Sequence, residues 1–333
     1  MTLANRLPTF EGAIQVKIQR QGAYLADLSW EWSVGHVPNG GYTAAIFYRV
    51  AATHFQTTQP NRHNGCARPI AMQLSYFRRC QVGPATFLVD DIKLGTRISV
   101  IHVTLIQADR PVVAGYLTIS DSVSDTGISM ATNWSIGSPV RRGALPMVSW
   151  PPSDMNDINW RKVVVANPAF RRAATRVELY QVSERGDQIS TPRPPGVGQW
   201  ARLRPGGQQE PDSNAEWTME SVSFLCDILP TALGPLEHWV HQKYKGDENV
   251  AGPPGPLWFP TLALNIDFKT CARTDLGEWL YSHIHIKSVH NGRLDVEVVV
   301  VDAEGNLVAV ATQMALIMSS ERNAMKKDRQ EHL

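Results

Sequence analysis

Cysteine is scarce in this chain: four residues in 333, at Cys66, Cys80, Cys226 and Cys271, with no Cys-x-x-Cys pair among them. That spacing argues against a zinc site and against a disulfide framework. Reduced thiols in a reducing compartment are the expectation. Net charge is equally scarce, because 32 Lys and Arg stand against 31 Asp and Glu and leave +1. The basic face that nucleic-acid binding requires is therefore absent. No apolar run reaches the ~20 residues of a membrane span. Met1 to Arg6 carry no apolar signal segment, and the terminal Gln330 to Leu333 is not a Ser-Lys-Leu address, so a cytoplasmic protein is expected. There is no Gly-x-Ser-x-Gly elbow, which leaves a Ser–His–Asp hydrolase unsupported. What is plentiful is apolar side chain, at 43%, enough for a sizeable core.

That apolar content is distributed in a rhythm written twice. Residues 13–30 read as two strands turning at Gln21-Gly22. A turn-rich stretch, Gly35 to Gly41, opens a helix from Tyr42 to about Gln56 that is apolar nearly all round, as a buried helix is. Four strands follow, over 69–79, 84–96, 98–108 and 111–120. The second half predicts strands over 175–182 and 199–204, one helix over 218–232, and strands over 260–271, 277–290, 293–302 and 306–318. Leu294, Val296, Val298 and Val300 alternate with polar neighbours, as in a half-buried antiparallel strand. Such an order is an α+β architecture, each half an antiparallel sheet wrapped around a central buried helix. The expected boundaries are a first domain over 1–125, a linker over 126–168, a second domain over 169–320 and a tail over 321–333. The Pro- and Gly-rich stretches 183–198, 205–216 and 245–256 read as flexible loops or lids. Unpaired sheet edges leave room for homo-oligomer formation.

Three polar residues stand in apolar surroundings. Asp227 lies in Val222-Ser223-Phe224-Leu225-Cys226-Asp227-Ile228-Leu229-Pro230, where a carboxylate is costly unless hydrogen-bonded. It could instead sit on a polar helix stripe with Ser223 and Glu220. Gln313 interrupts an apolar strand and shares a face with Ala311 and Ala315, inward or outward. Thr261 opens a strand, a place where Thr is common. Cys226, in the same apolar run as Asp227, reads as a small hydrophobe rather than a nucleophile.

Together these segments resemble acyl-CoA thioesterase II and its fungal and bacterial thioesterase-like relatives. Cys226-Asp227-Ile228-Leu229-Pro230 is similar to the family's Asp-containing segment. Thr261 before Phe268, the Trp279 strand, and Asp302-x-x-Gly305-x-Leu307-Val308-Ala309 followed by Gln313 are similar to the rest of its second half. Val37-Pro38-Asn39-Gly40-Gly41-Tyr42 looks like its Gly-Gly helix start, and Ser75-Tyr76-Phe77-Arg78-Arg79 resembles its Phe-x-Arg-Pro strand. Cys80 replaces the usual Pro, and Thr270-Cys271 departs likewise. The resemblance implies a tandem double hotdog that hydrolyses acyl-CoA or carrier-bound acyl thioesters in lipid or secondary metabolism. It implies Asp227, Thr261 and Gln313 as the catalytic set; no metal or cofactor is expected, since no Cys, His or carboxylate pattern completes a metal site.

In that reading Asp227 orients or deprotonates water, helped by Thr261 and Gln313. Asn39, Gly40 and Gly41 at the helix start are candidate oxyanion donors, with a tight packing turn as the structural alternative. Arg78 or Arg79, expected on opposite faces of a strand, could meet a phosphate of the thiol carrier. His36, beside the Gly-Gly turn, is the candidate proton-transfer group if the fold serves a dehydratase, isomerase or cyclase instead. A non-catalytic acyl-binding module is the third reading. His283 and His285 share a strand face but lack partners for a metal.

Overall fold

The computed structural model describes residues 9–121, 127–130, 132, 134–136, 160–182, 196–207, 215–243, 256–269 and 276–324. Most of the expected linker, most of the three Pro- and Gly-rich loops, Thr270, Cys271 and the residues after 324 lie outside this set.

Strands β1 (Val16–Arg20) and β2 (Ala23–Leu28) precede helix α1 (Gly40–Thr58). Then come β3 (Ala67–Tyr76), β4 (Gly83–Lys93), β5 (Ile98–Gln107) and β6 (Arg110–Asp121). The second half runs β7 (Trp160–Lys162), β8 (Val177–Val182), β9 (Val197–Leu203), α2 (Met219–Leu225), α3 (Pro230–Lys243), β10 (Thr261–Phe268), β11 (Trp279–His290), β12 (Arg293–Val301) and β13 (Leu307–Leu316). These strands form one sheet in the order β1-β2-β4-β5-β6-β3-β10-β13-β12-β11-β9-β8-β7. Read outward from its centre, the order 3-6-5-4-2-1 on one side matches 10-13-12-11-9-8 on the other. The chain is thus a tandem double hotdog. Its halves join where β3 and β10 pair antiparallel, with Leu264 opposite Leu74 and Ile266 opposite Met72.

Burial explains the helix at the centre of the first half. In α1, Tyr42, Ala44, Ala45, Ile46, Phe47, Val50 and Ala51 have no exposed surface, so the helix is held by apolar contact on nearly every side. Asn39 caps it, its Oδ1 accepting from the Tyr42 N–H at 2.9 Å. Hairpin turns follow the local chemistry too. Asp302 Oδ1 accepts from the Glu304 and Asn306 N–H groups at 3.0 and 2.8 Å, and Gly305 takes φ +84°.

The single helix expected over 218–232 is in fact two. Thr218 and Ser221 exchange capping hydrogen bonds at the start of α2. α2 stops at Leu225, and α3 restarts at Pro230. Proline disfavours helical backbone at the residue before it and cannot donate within a helix, but it suits a first helical position. The expected strand over 69–79 likewise ends at Tyr76, so Arg78 and Arg79 lie in a loop and do not alternate across a strand.

Candidate active site

The break between α2 and α3 is where Asp227 sits. It is neither inside a helix nor on an exposed polar stripe, since Glu220 and Ser223 lie back in α2. Across from it is the start of α1, which approaches closely because Gly41 has no side chain. A Cβ there would lie 2.7 Å from the Ser223 carbonyl oxygen and 2.9 Å from that of Phe224. Asp227 Oδ2 accepts from Asn39 Nδ2 at 2.8 Å and from the Gly41 N–H at 3.0 Å. Its Oδ1 accepts from Gln313 Nε2 at 2.5 Å. The same Nε2 donates to Thr261 Oγ1 at 2.8 Å.

Residues from three separated segments of the second half therefore meet, joined by the helix start of the first. β13 delivers Gln313, which is 5% exposed and shares the inward face with the buried Ala311 and Ala315. Those alanines leave room for the long amide. Thr261 is set by the first residues of β10, where the register with β13 shifts between Thr261 and Ala263. Such irregularities re-aim a side chain out of the pleat. Gln313 Oε1 is buried and meets no hydrogen-bond donor among the described residues.

Burial is the leading influence on Asp227 and raises its pKa from 3.8 to about 6. The Gly41 N–H, Gln313, the Gly40 N–H and Asn39 act against burial by hydrogen-bonding the charged form. The carboxyl thus titrates just below neutrality, in the range suited to a general base.

Asn39, Gly40 and Gly41 are at the site, but they hold Asp227 rather than offering donors to a substrate oxyanion. Gly41 N–H binds the carboxylate, and Tyr42 N–H is taken by the Asn39 side chain. The physical reason is that a carboxylate already occupies the helix N-terminus, which is the favoured place for an anion. His36 is not at the site. It is exposed, its ring lies 5.1 Å from that of Trp30, and its N–H is bound by Asn323. Arg78 and Arg79 both line the cavity that contains Asp227. Arg78 donates to the Pro111 carbonyl at 2.7 Å, and the Arg79 guanidinium lies 4.9 Å from the Trp258 ring centre. Cys226 is fully buried, and burial pushes its thiol well above the ordinary range. That is the opposite of an activated nucleophile.

One participant carried no separate expectation. Tyr76, at the end of β3, donates its hydroxyl to the Gly40 carbonyl at 2.7 Å and so fixes the turn that presents Gly41. Burial, and then the charge of Asp227, push its phenol well above the usual range, so it stays protonated as a donor. The only hint in the sequence was its place in the Ser75-Tyr76-Phe77-Arg78-Arg79 segment.

The cavity has a volume of about 680 Å³, within the usual range for small-molecule sites. Asp227, Thr261 and Gln313 line it together with Val37, Leu229, Leu233, Phe259 and Met318. Asp227 is the only carboxylate residue on its wall among the described residues, against five Arg and Lys. No described helix is long and apolar enough to cross a membrane.

Sequence comparison supplies the class of protein that carries this double hotdog. Residues 28–120 match the acyl-CoA thioesterase N-terminal domain, and residues 146–317 match the acyl-CoA thioesterase C-terminal domain. The chain belongs to the acyl-CoA thioesterase family and is a hydrolase of acyl thioesters. The thioesterase-like protein TwmA of Talaromyces wortmannii is 27% identical over 360 aligned residues, which span 96% of this chain and 94% of that protein. Among solved structures, the acyl-CoA thioesterase II TesB2 of Mycobacterium marinum superposes with a TM-score of 0.60 at 15% identity, covering 93% of this chain and 98% of that one. A hot dog fold protein of unknown function from Alicyclobacillus acidocaldarius does so with a TM-score of 0.61 at 17% identity, again covering 93% and 98%. At these identities the two structures speak to the fold.

Proposed function

We propose that this enzyme hydrolyses an acyl thioester by direct attack of water held between Gln313, Thr261 and Asp227. The observation that carries the reading is the bridging amide of Gln313. Its Nε2 ties Asp227 Oδ1 to Thr261 Oγ1, which leaves the Thr261 hydroxyl hydrogen free to donate, while Gln313 Oε1 is an unmet acceptor buried beside them. A water bound there accepts from the Thr261 hydroxyl, with the Asp227 carboxylate beside it to take its proton. Attack forms a C–O bond at the thioester carbonyl, the proton passes to Asp227, and collapse breaks the C–S bond. The leaving thiolate then takes up the proton, giving a free acid and a free thiol. Holding water in attack geometry supplies much of the advantage, and proton acceptance by Asp227 typically adds about 10²–10⁴-fold.

The thiol carrier is coenzyme A or a carrier-protein arm, and the cations Arg78 and Arg79 on the cavity wall suit the phosphate that both contain. No histidine lines the cavity among the described residues, so a dehydratase or isomerase reading loses its proton-transfer group. The test is release of free thiol, captured chromogenically, from acetyl-, octanoyl- and palmitoyl-CoA and from acyl-loaded carrier protein. Thiol release matched by free acid is expected. Tight binding of these thioesters with no release would overturn hydrolysis in favour of a binding module.

A further inference from the structure

Asp227 lies in a four-residue break between two helices, where helical hydrogen bonding is interrupted. Its backbone has a carbonyl that the helices do not satisfy. The N–H groups of Ala232 and Leu233 both turn to the Leu229 carbonyl. The Ile228 carbonyl, immediately after Asp227, is met instead by a side chain from the sheet: Gln199 Nε2 donates to it at 3.0 Å. Gln199, in β9, has no exposed surface and does not line the cavity. A long amide fully buried in a strand is costly unless both ends are bonded. The other end is bonded, because Thr231 Oγ1, one residue into α3, donates to Gln199 Oε1 at 2.5 Å. The Thr231 hydroxyl thereby fixes which way the amide faces. With Oε1 held, Nε2 must point at Ile228.

We infer that Gln199, oriented by Thr231, is a positioning residue for the reaction: it clamps the Ile228 carbonyl and so fixes the Asp227 carboxylate against Gln313 and the α1 N-terminus. The clamp adds to the bonds made by Asn39, Gly41 and Gln313: it holds the backbone one residue beyond Asp227, while they hold the carboxylate. Gln199 does not reach the cavity, and Thr231, which lines it, gives its hydroxyl hydrogen to Gln199. The role predicts a loss in the chemical step and none in substrate capture, since small displacements of a reacting group cost rate far more than affinity.

The inference rests on the thioesterase reading, and the experiment separates the two. Thiol release by the unmodified enzyme tests that reading, and the variants test the clamp. With octanoyl-CoA as probe, Gln199→Met keeps the bulk and removes both hydrogen bonds. Gln199→Glu keeps the acceptor for Thr231 but sets a carboxylate oxygen against the Ile228 carbonyl. Both should lower kcat by about 10- to 100-fold with KM little changed. Thr231→Val, isosteric but without the donor, should lower kcat in the same sense, and Thr231→Ser, which keeps the hydroxyl, should restore it. A kcat equal to that of the unmodified enzyme in Gln199→Met, or a loss confined to KM, overturns the inference. If the Gln199 variants do not fold, as read by thermal unfolding, the comparison of Thr231→Val with Thr231→Ser decides: equal kcat in those two also overturns it.

Discussion

Replacing Asp227 by Asn separates chemistry from stability, because the two should move independently. Burial holds the carboxyl at about 6, against an ordinary value of 3.8. At about 1.36 kcal/mol per pKa unit, that difference amounts to roughly 3 kcal/mol between protonated and ionised forms. A carboxyl with a raised folded-state pKa binds its proton more tightly in the native state than in the unfolded one. Its stabilising contribution is therefore full below about pH 4 and is lost as pH rises through 6. Asp227 faces the cavity, where water can reach it, so the roughly 3 kcal/mol is an upper bound. At pH 7 the ionised carboxylate stabilises the fold less than the protonated form would.

Asn cannot titrate. It also gives up one acceptor position, worth about 1–3 kcal/mol if a buried donor is left unmet, so the variant at pH 7 should be close to the parent in stability. The informative quantity is the slope. The stability of the parent minus that of Asp227→Asn, from urea unfolding at several pH values, should fall by up to about 3 kcal/mol between pH 4 and pH 7. Thiol release by the variant should fall by about 10²–10⁴-fold. A difference that rises with pH would refute the account of burial, and undiminished turnover would refute the role as base.

Three further outcomes follow from the same geometry. The kcat of the parent should rise with pH through about 6, because Asp227 must be ionised to accept a proton; a rate flat across pH 5 to 7 counts against it. Thr261→Val should lower kcat by roughly tenfold or more while Thr261→Ser retains most of it, since only the hydroxyl donor matters at this position; stopped-time thiol capture distinguishes them. Gly41→Ala places a Cβ within 3 Å of two backbone carbonyls and of the Asp227 Cβ. It should cost about 1–3 kcal/mol by overpacking and lower kcat as well, with calorimetry reading the first effect and thiol release the second.

Much of the fold was legible because hydrophobic rhythm survives in one dimension. The alternation of Leu294, Val296, Val298 and Val300 and the all-round apolar character of Tyr42 to Phe55 mark a strand and a buried helix wherever they occur. The repeat of the element order implied two halves. What rhythm could not show was the helix break at Asp227, because residues 218–232 keep a helical apolar pattern straight through it. Pro230 was the available signal, and the apolar periodicity outweighed it. Nor could alternation say which face of β13 is inward, since Ala311, Gln313 and Ala315 fit either.

The sequence by itself determined the repeated strand-and-helix order, the buried helix with its Asn39-Gly40-Gly41 start, and a set of polar residues in apolar context joined by family resemblance. Only the tertiary structure decided what those residues do to one another. It turned the helix N-terminus from a substrate-facing oxyanion hole into the seat of Asp227, left His36 at the surface, and enlisted Tyr76 and Gln199. The reason is that hydrogen bonds are local in space and not in sequence. Asp227 meets Gly41 across 186 positions and Gln313 across 86, separations that only packing closes.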